Sequence, residues 1–370
     1  MASTKHTLLV TGAAGGIGSG FVSEFLKTPH AKTHHGIYVV HPSQPGTLAQ
    51  VLESHAPAEH QHEIIALDLC SLASIREFAA VIKRRVEGGE LPPVRGLFLI
   101  AGGIFTSKNT DDGIDYSADG MEKMFAVNYL ANFLLVLLLL GSMDKEAGRI
   151  LFMSSTTHWP QNKSNASHIK KEVHKIVWKE VDVLAKGTQE IVGHGKQERF
   201  EAAMRRYGST KTFMNMFMHV TKPLFHLSKR GRKLTRDRYE LQNRLNKDPN
   251  LSKISILAME PGAVGGTGLF QSHTFPVWMW FILKYIAPLI QIITTWFMPN
   301  GFMRTPQQVG KDLVFAGWND ELKGGTYLDG NVVRDSSPET HDAEKQRKLW
   351  EGSLKWAGVK DGETVLEGWK

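Results

Sequence analysis

The sequence predicts an α/β protein built on a doubly wound parallel sheet, as a single domain with inserted helical excursions. Short apolar runs alternate with helical stretches through the first half of the chain, and a glycine-rich turn joins the first run to the first helix. No internal repeat is apparent. At 370 residues the chain is long for one domain, yet α/β folds often exceed ~200 residues as one unit.

Taken in order, apolar residues at 7–10 form the first strand, and the glycine turn opens a helix over 17–26. Strands follow at 37–40 and 63–67, then a helix at 74–85 and a fourth strand at 96–100. A helix at 121–140 leads to a fifth strand, Arg149–Met153. After a long polar excursion comes a helix near 207–221, a late strand at 254–259 and a short one at 326–328. Two segments read as additions to this frame, 158–203, rich in Lys, Glu and His, and the basic 226–251. With an apolar lid at 270–300 they belong to a domain spanning 5–335, and 336–370 reads as a C-terminal tail.

Bulk chemistry narrows the classes. Apolar residues make up 42% and charged residues 22%, as in a soluble protein with a sizeable core. A lone cysteine, Cys70, excludes an intrachain disulfide and disfavours a thiolate zinc site, which fits a reducing compartment. His30, His34 and His35 share helical spacing, but they fall in an expected loop with no carboxylate beside them, so no metal site is expected. The chain carries net charge +7, with Lys229, Arg230, Arg232, Lys233, Arg236, Arg238 and Arg244 set against Asp237 and Glu240. Such a run is a solvated face or a contact with an anionic membrane surface; no nucleic-acid partner is expected. The start MASTKHTLLVTG shows no cleavable apolar region, so a cytoplasmic protein is expected, peripheral on an intracellular membrane if the basic and apolar segments meet lipid.

Thr11-Gly-Ala-Ala-Gly-Gly-Ile-Gly18 closes a strand and opens a helix. A dinucleotide pyrophosphate needs free backbone N–H groups and no Cβ in the way, which gives Gly12, Gly16 and Gly18 a role beyond a tight turn. Asp68, after the third strand, is placed to accept from an adenine amino group; alone it would be a surface or capping residue, with Ser71 the competing cap. The end of the second strand reads Val40-His41-Pro42-Ser43. No acid is present there to repel a 2′-phosphate, and His41 and Ser43 can bind one, which favours NADP(H) over NAD(H).

Tyr207-Gly-Ser-Thr-Lys211 places a phenol and an ammonium on one face of a helix. The ammonium is expected to lower the phenol pKa and so fit it for proton transfer to a carbonyl oxygen. Ser154 and Ser155 end the fifth strand on the side where ligands of such sheets bind, and a hydroxyl there can hold a substrate oxygen. Asn128 sits in an otherwise apolar helix, either as a satisfied buried amide or as an anchor for water in a proton relay.

The order TGxxxGxG, Asp68-Leu69, Ala101-Gly102, Asn128, Ser155, Tyr207-xxx-Lys211 and Pro261-Gly262 resembles the short-chain dehydrogenase/reductase family, whose fold is Rossmann-type. Asp119-Gly-Met-Glu122, Val127-Asn128, Phe133-Leu-Leu135 and Gly325-Thr-Tyr327 are similar to its retinol-dehydrogenase-like branch. The resemblance covers roughly residues 5–335. It implies that Asn128, Ser155, Tyr207 and Lys211 are catalytic, with Ser155 preferred to Ser154. It implies that Gly12, Gly16, Ile17, Gly18, His41, Ser43, Asp68, Leu69, Ala101, Gly102, Asn128, Tyr207, Lys211, Pro261, Gly262, Val264 and Thr267 contact the cofactor. Three departures stand out. The expected Asn-Ala-Gly reads Ile100-Ala101-Gly102, the threonine after Pro261-Gly262 is displaced to Thr267, and Ser155 and Tyr207 are unusually far apart in sequence.

The segment 275–298, FPVWMWFILKYIAPLIQIITTWFM, is long enough to cross a bilayer but is interrupted by Pro276, Lys284, Pro288 and Gln291. It is expected to be a lid over an apolar pocket that dips into a membrane interface. The apolar 133–140 is too short to span and reads as a core helix. Two functions follow. One is oxidation or reduction of a lipophilic small molecule such as a steroid, retinoid, polyketide or terpenoid of secondary metabolism. The other is a dinucleotide-binding fold turned to a non-redox task, as in a cyclase, isomerase or membrane-associated binding protein. A homodimer is compatible with either.

Overall fold

Strands buried on both faces need apolar residues at nearly every position, and the central strands of the sheet show that pattern. The computed structural model describes residues 5–43, 48–107, 109–110, 112–171, 180–188, 196–218, 241–265, 267–269 and 281–370. Seven parallel strands and one antiparallel strand form a sheet in the order β3-β2-β1-β4-β5-β6-β7-β8. They are β1 His6–Thr11, β2 His34–Val40, β3 His62–Ala66, β4 Val94–Leu99, β5 Arg149–Met153, β6 Ser255–Glu260, β7 Thr326–Asp329 and β8 Val332–Arg334. The order reverses between β1 and β4, where doubly wound sheets hold their ligands.

Alternate residues of one strand serve opposite faces. Leu9 packs in one core, and Leu8 and Val10 pack in the other. The first core is covered by α3 Leu72–Glu87, α4 Ala131–Leu139 and α6 Lys196–Met218. The second lies under α1 Gly16–Leu26, α2 Leu48–His55 and α9 Pro306–Trp318. Helices α1 and α9 touch closely, because a Cβ on Gly20 would stand 2.4 Å from the Pro306 carbonyl and one on Gly310 2.5 Å from that of Gly20. Neither α2 nor α9 was evident in the sequence: α2 is short, and Asp312 is buried on the apolar face of α9.

The helix leading into β5 begins with a π-helical turn, Phe125–Leu130, and continues as α4. Residues Phe125–Ser142 are the one stretch among those described that is long and apolar enough to cross a membrane, but they are 94% buried as a core helix.

Several sequence expectations change. The presumed tail at 336–370 contains α10, Ala343–Ala357, whose Trp350 packs against Phe133 and Phe217 and whose Ser353 Oγ lies 2.7 Å from the Tyr129 hydroxyl. The excursion at 158–203 is tied down where it is described. In α5, Val181–Ala185, the Ala185 carbonyl accepts from the Glu122 N–H at 2.7 Å, and the Asp182 carboxylate accepts from the Trp356 indole at 2.6 Å. Lys229, Arg230, Arg232, Lys233, Arg236, Asp237, Arg238 and Glu240 lie outside the described residues. Arg244, in α7 Leu241–Lys247, is not a solvated charge; it is buried with its guanidinium 4.1 Å from the Trp350 ring. The three histidines are not in a loop. His30 stacks on Trp318, His34 is buried at the start of β2, and His35 meets the Glu63 carboxylate at 2.9 Å.

Candidate active site

Because seven strands run the same way, the chain leaving each of them emerges at one carboxyl edge. That geometry gathers residues far apart in sequence. Tyr207 and Lys211, one turn apart in the middle of α6, reach the end of β5. The Lys211 ammonium donates to the Met153 carbonyl at 2.7 Å and sits 5.3 Å from the Tyr207 ring. The Ser155 hydroxyl lies close enough to the Tyr207 phenol to favour its ionised form, and it accepts from the Thr157 N–H and hydroxyl at 3.3 and 3.0 Å. Ser154 turns away, buried, and accepts from Asn215 Nδ2 at 2.9 Å. The serine beside the phenol is therefore Ser155.

Asn128 lies within the π-helical turn, buried, and its amide is committed to backbone. Its Oδ1 accepts from the Gly103 N–H and its Nδ2 donates to the Gly103 carbonyl, both at 2.9 Å, while Nδ2 also reaches Thr210 Oγ1 at 3.4 Å. Its own carbonyl accepts from Asn132 Nδ2 at 2.8 Å. Of the two readings open in the sequence, this geometry is that of the satisfied amide, bracing the loop beside Ala101 and Gly102.

The residues fit a nicotinamide dinucleotide. Gly12 has φ +70°, and a Cβ there would stand 2.8 Å from Ala101 Cα. Ile17 half-buries its side chain against the core below α1, leaving the helix N-terminal amides to the ligand side. Thr267 touches the turn: a Cβ on Gly16 would meet its methyl at 2.7 Å, and its hydroxyl donates to the Val264 carbonyl at 3.2 Å. The displaced threonine thus still closes over the phosphate turn, whereas Gly266 lies outside the described residues. Pro261 is buried, and Gly262 passes beneath the Phe302 carbonyl. At the ribose end, His41 and Ser43 are exposed and joined, His41 Nδ1 to Ser43 Oγ at 2.8 Å. Asp68 accepts from the Cys70 N–H at 2.8 Å, Leu69 is buried, and Ser71 is the cap of α3.

Burial dominates the electrostatics. It pushes the Tyr207 phenol above its ordinary pKa, against the opposing effect of the Ser155 hydroxyl, and the Lys211 ammonium down to about 7. The expected lowering of the phenol by Lys211 is thus absent from this protein alone, because desolvation of a fully covered ring outweighs an ammonium on one side of it. Lys211 is 3% exposed and has no carboxylate partner among the described residues, an arrangement suited to a ligand's hydroxyls.

Glu260, Thr156 and His158 escaped the sequence reading, and Tyr327 was noted there only as part of a family motif, not as a neighbour of the site. The Tyr327 phenol donates to Glu260 Oε2 at 2.5 Å, and the His158 ring lies 5.1 Å from that of Tyr327. A lone acid closing the apolar strand SILAME was the signal available.

Residues 6–167 match the model of the short chain dehydrogenase family. Along 99% of both chains the sequence is 36% identical to the short-chain dehydrogenase iccH of Talaromyces variabilis. It is 25% identical to human retinol dehydrogenase 13, over 84% of this chain and 71% of that one, in keeping with the retinol-dehydrogenase-like branch. It is 25% identical to protochlorophyllide reductase B of Oryza sativa subsp. japonica, over 96% and 78%. Among solved structures, an uncharacterized protein of Mycobacterium paratuberculosis shares the fold with TM-score 0.58 at 17% identity, covering 97% and 96% of the two chains. With this sheet, this glycine turn and a full-length relative of that name, the chain belongs to the short-chain dehydrogenase/reductase family of nicotinamide-dependent oxidoreductases.

Proposed function

We propose that the protein is an NADP(H)-dependent enzyme interconverting a carbonyl and an alcohol on a lipophilic small molecule. The observation that carries this reading is the meeting of Ser155, Tyr207 and Lys211 at the carboxyl edge of the sheet. When bound, the reduced nicotinamide supplies the hydride that goes to the carbonyl carbon. Tyr207 donates its phenolic proton to the carbonyl oxygen, Ser155 holds that oxygen, and Lys211 binds the nicotinamide ribose. Asn128 keeps the Gly102–Gly103 loop in place and so supports the proton path from behind. A non-redox binding protein has no use for the Ser155–Tyr207 contact.

Tyr207→Phe is expected to lower turnover by ~10²–10⁴ while cofactor titration stays near wild type. Turnover close to wild type would remove Tyr207 from the chemistry. NADPH is expected to bind more tightly than NADH, since no acid stands at 41–43, and His41→Asp to erase the difference. A wild-type preference for NADH refutes the cofactor assignment.

The lipophilic substrate and a membrane partner are supported by α8, Ala287–Phe297, which follows a π-helical turn at Ile282–Ile286. Its burial is inverted. Gln291 is 2% exposed and donates to the Ala263 carbonyl at 3.1 Å, whereas Trp296 is 82% and Phe297 77% exposed. From Pro261 to Lys311 the sequence holds no Asp or Glu, so an anionic surface meets no repulsion there. Residues 270–280 of the expected lid, with Trp278 and Trp280, lie outside the described residues. Two relatives are named for retinol and protochlorophyllide, both largely apolar molecules. Phosphatidylserine-containing vesicles are expected to float the protein at low salt and release much of it at high salt. Trp296→Ser with Phe297→Ser should abolish flotation without altering turnover of a water-soluble carbonyl. No flotation, or a dimer lost in that variant, refutes the membrane partner.

A further inference from the structure

Glu260 ends β6, with 6% of its surface exposed and Pro261 next in sequence. The other residues of that strand are apolar after Ser255, so a carboxyl here carries a desolvation cost that hydrogen bonds must offset. The Tyr327 phenol supplies one at 2.5 Å, and the Thr156 hydroxyl lies close by. His158 packs against the Tyr327 ring, with Nδ1 at 2.7 Å from the Ser155 carbonyl and Nε2 accepting from the Ser337 N–H at 3.0 Å. The turn carrying Ser155 is therefore held from beneath by one polar cluster centred on a carboxyl.

The charged and titratable groups facing that carboxyl come from every neighbouring element. Tyr207 approaches from α6, Tyr327 and Asp329 from β7, and Arg304 from the segment before α9. Arg304 is fully buried, donates to the Glu260 carbonyl oxygen at 3.1 Å and pairs with Asp329 at 2.5 Å. Asp329 draws on that guanidinium, so its positive charge does not belong to Glu260 alone.

We propose that Glu260 is a positioning residue for the proton transfer: through Tyr327 and His158 it holds the turn that carries Ser155 beside Tyr207, and its carboxylate opposes negative charge on that phenol. Burial brings its carboxyl up to about 7, so the charge develops within an ordinary assay range. The negative charge adds to burial in raising the Tyr207 phenol. The inference rests on Tyr207 as the proton-transferring group.

Glu260→Gln keeps the shape and most hydrogen bonds but removes the charge. In alcohol oxidation, which needs the phenolate, the acidic limb of the kcat profile is expected to move to lower pH. At a pH on that limb, kcat should rise about threefold to tenfold, with the plateau little changed. Glu260→Asp, which retains the charge on a shorter arm, should keep the wild-type limb and lower kcat in both directions. A profile unmoved in Glu260→Gln, with both directions reduced together, overturns the inference and leaves Glu260 as scaffold. Loss of turnover in Tyr207→Phe beside that unmoved profile rejects the role of Glu260 alone. Full activity in Tyr207→Phe rejects the functional reading itself.

Discussion

The two edges of the sheet each bury cations, and they treat them in opposite ways. At the amino edge Arg149 is 5% exposed and Arg95 7%, about as covered as Lys211 at the carboxyl edge. Arg149 donates to Ser255 Oγ and to the Ala316, Asn319 and Leu322 carbonyls, and Arg95 reaches the Gly317 carbonyl at 3.4 Å. These carbonyls end α9 and its following turn, where intrahelical donors run out and the helix dipole is negative. Lys211 has one carbonyl at 2.7 Å and a methionine sulfur at 3.9 Å. Equal burial therefore has two meanings. A cation that bridges several carbonyls, as Arg149 does, closes a helix end, and one with donors to spare at the carboxyl edge is free to bind a ligand.

The largest test of that contrast is Arg149→Met. Four hydrogen bonds from a buried guanidinium disappear and the end of α9 is left bare, which is expected to cost about 3 kcal/mol or more in urea unfolding. Turnover per folded molecule should stay within about twofold, since no site residue is touched. A loss below about 1 kcal/mol would break the comparison.

Lys211→Met should behave in the reverse manner, with cofactor affinity falling about tenfold or more and apo stability at pH 7 unchanged or raised. The pH dependence has a defined sign. In the folded protein Lys211 titrates at about 7, below its ordinary 10.5. Between those values the native state holds fewer protons than the unfolded chain, so stability from this group rises with pH across that window. Melting temperatures from pH 7 to 9 should therefore climb more in wild type than in Lys211→Met. Parallel curves would mean that Lys211 has found a counter-charge.

The smallest effect is expected at the exposed pair of Lys253 and Glu146, also at the amino edge. Glu146→Gln should change stability by less than about 0.5 kcal/mol and activity not at all. A larger loss would show that exposed charges also brace this edge.

Much of this was legible without coordinates. The strands announced themselves because both faces are covered, and the glycine turn because strand, turn and helix stand in sequence order. Tyr207 and Lys211 were legible through spacing, and the pair Ser154–Ser155 through the rule that parallel strands deliver side chains to one edge; the preference for Ser155 came from the family resemblance. Helix α10 was not, because Trp350 and Ser353 gain meaning only from Phe133, Phe217 and Tyr129, all far away in the chain. The reversed face of α8 was equally hidden: an apolar run signals burial, and only the Gln291–Ala263 contact shows that its polar residue faces inward.

The sequence by itself determined the sheet, the turn that accepts a dinucleotide and the identity of the phenol–ammonium pair, because each depends on residues near one another in the chain. Tertiary structure decided which serine meets the phenol, that Asn128 braces Gly103, and that Tyr327 reaches the Glu260 carboxyl. It also decided the charge state that each group tends toward. Hydrogen-bond partners and desolvation arise from packing among distant segments, and no local pattern encodes them.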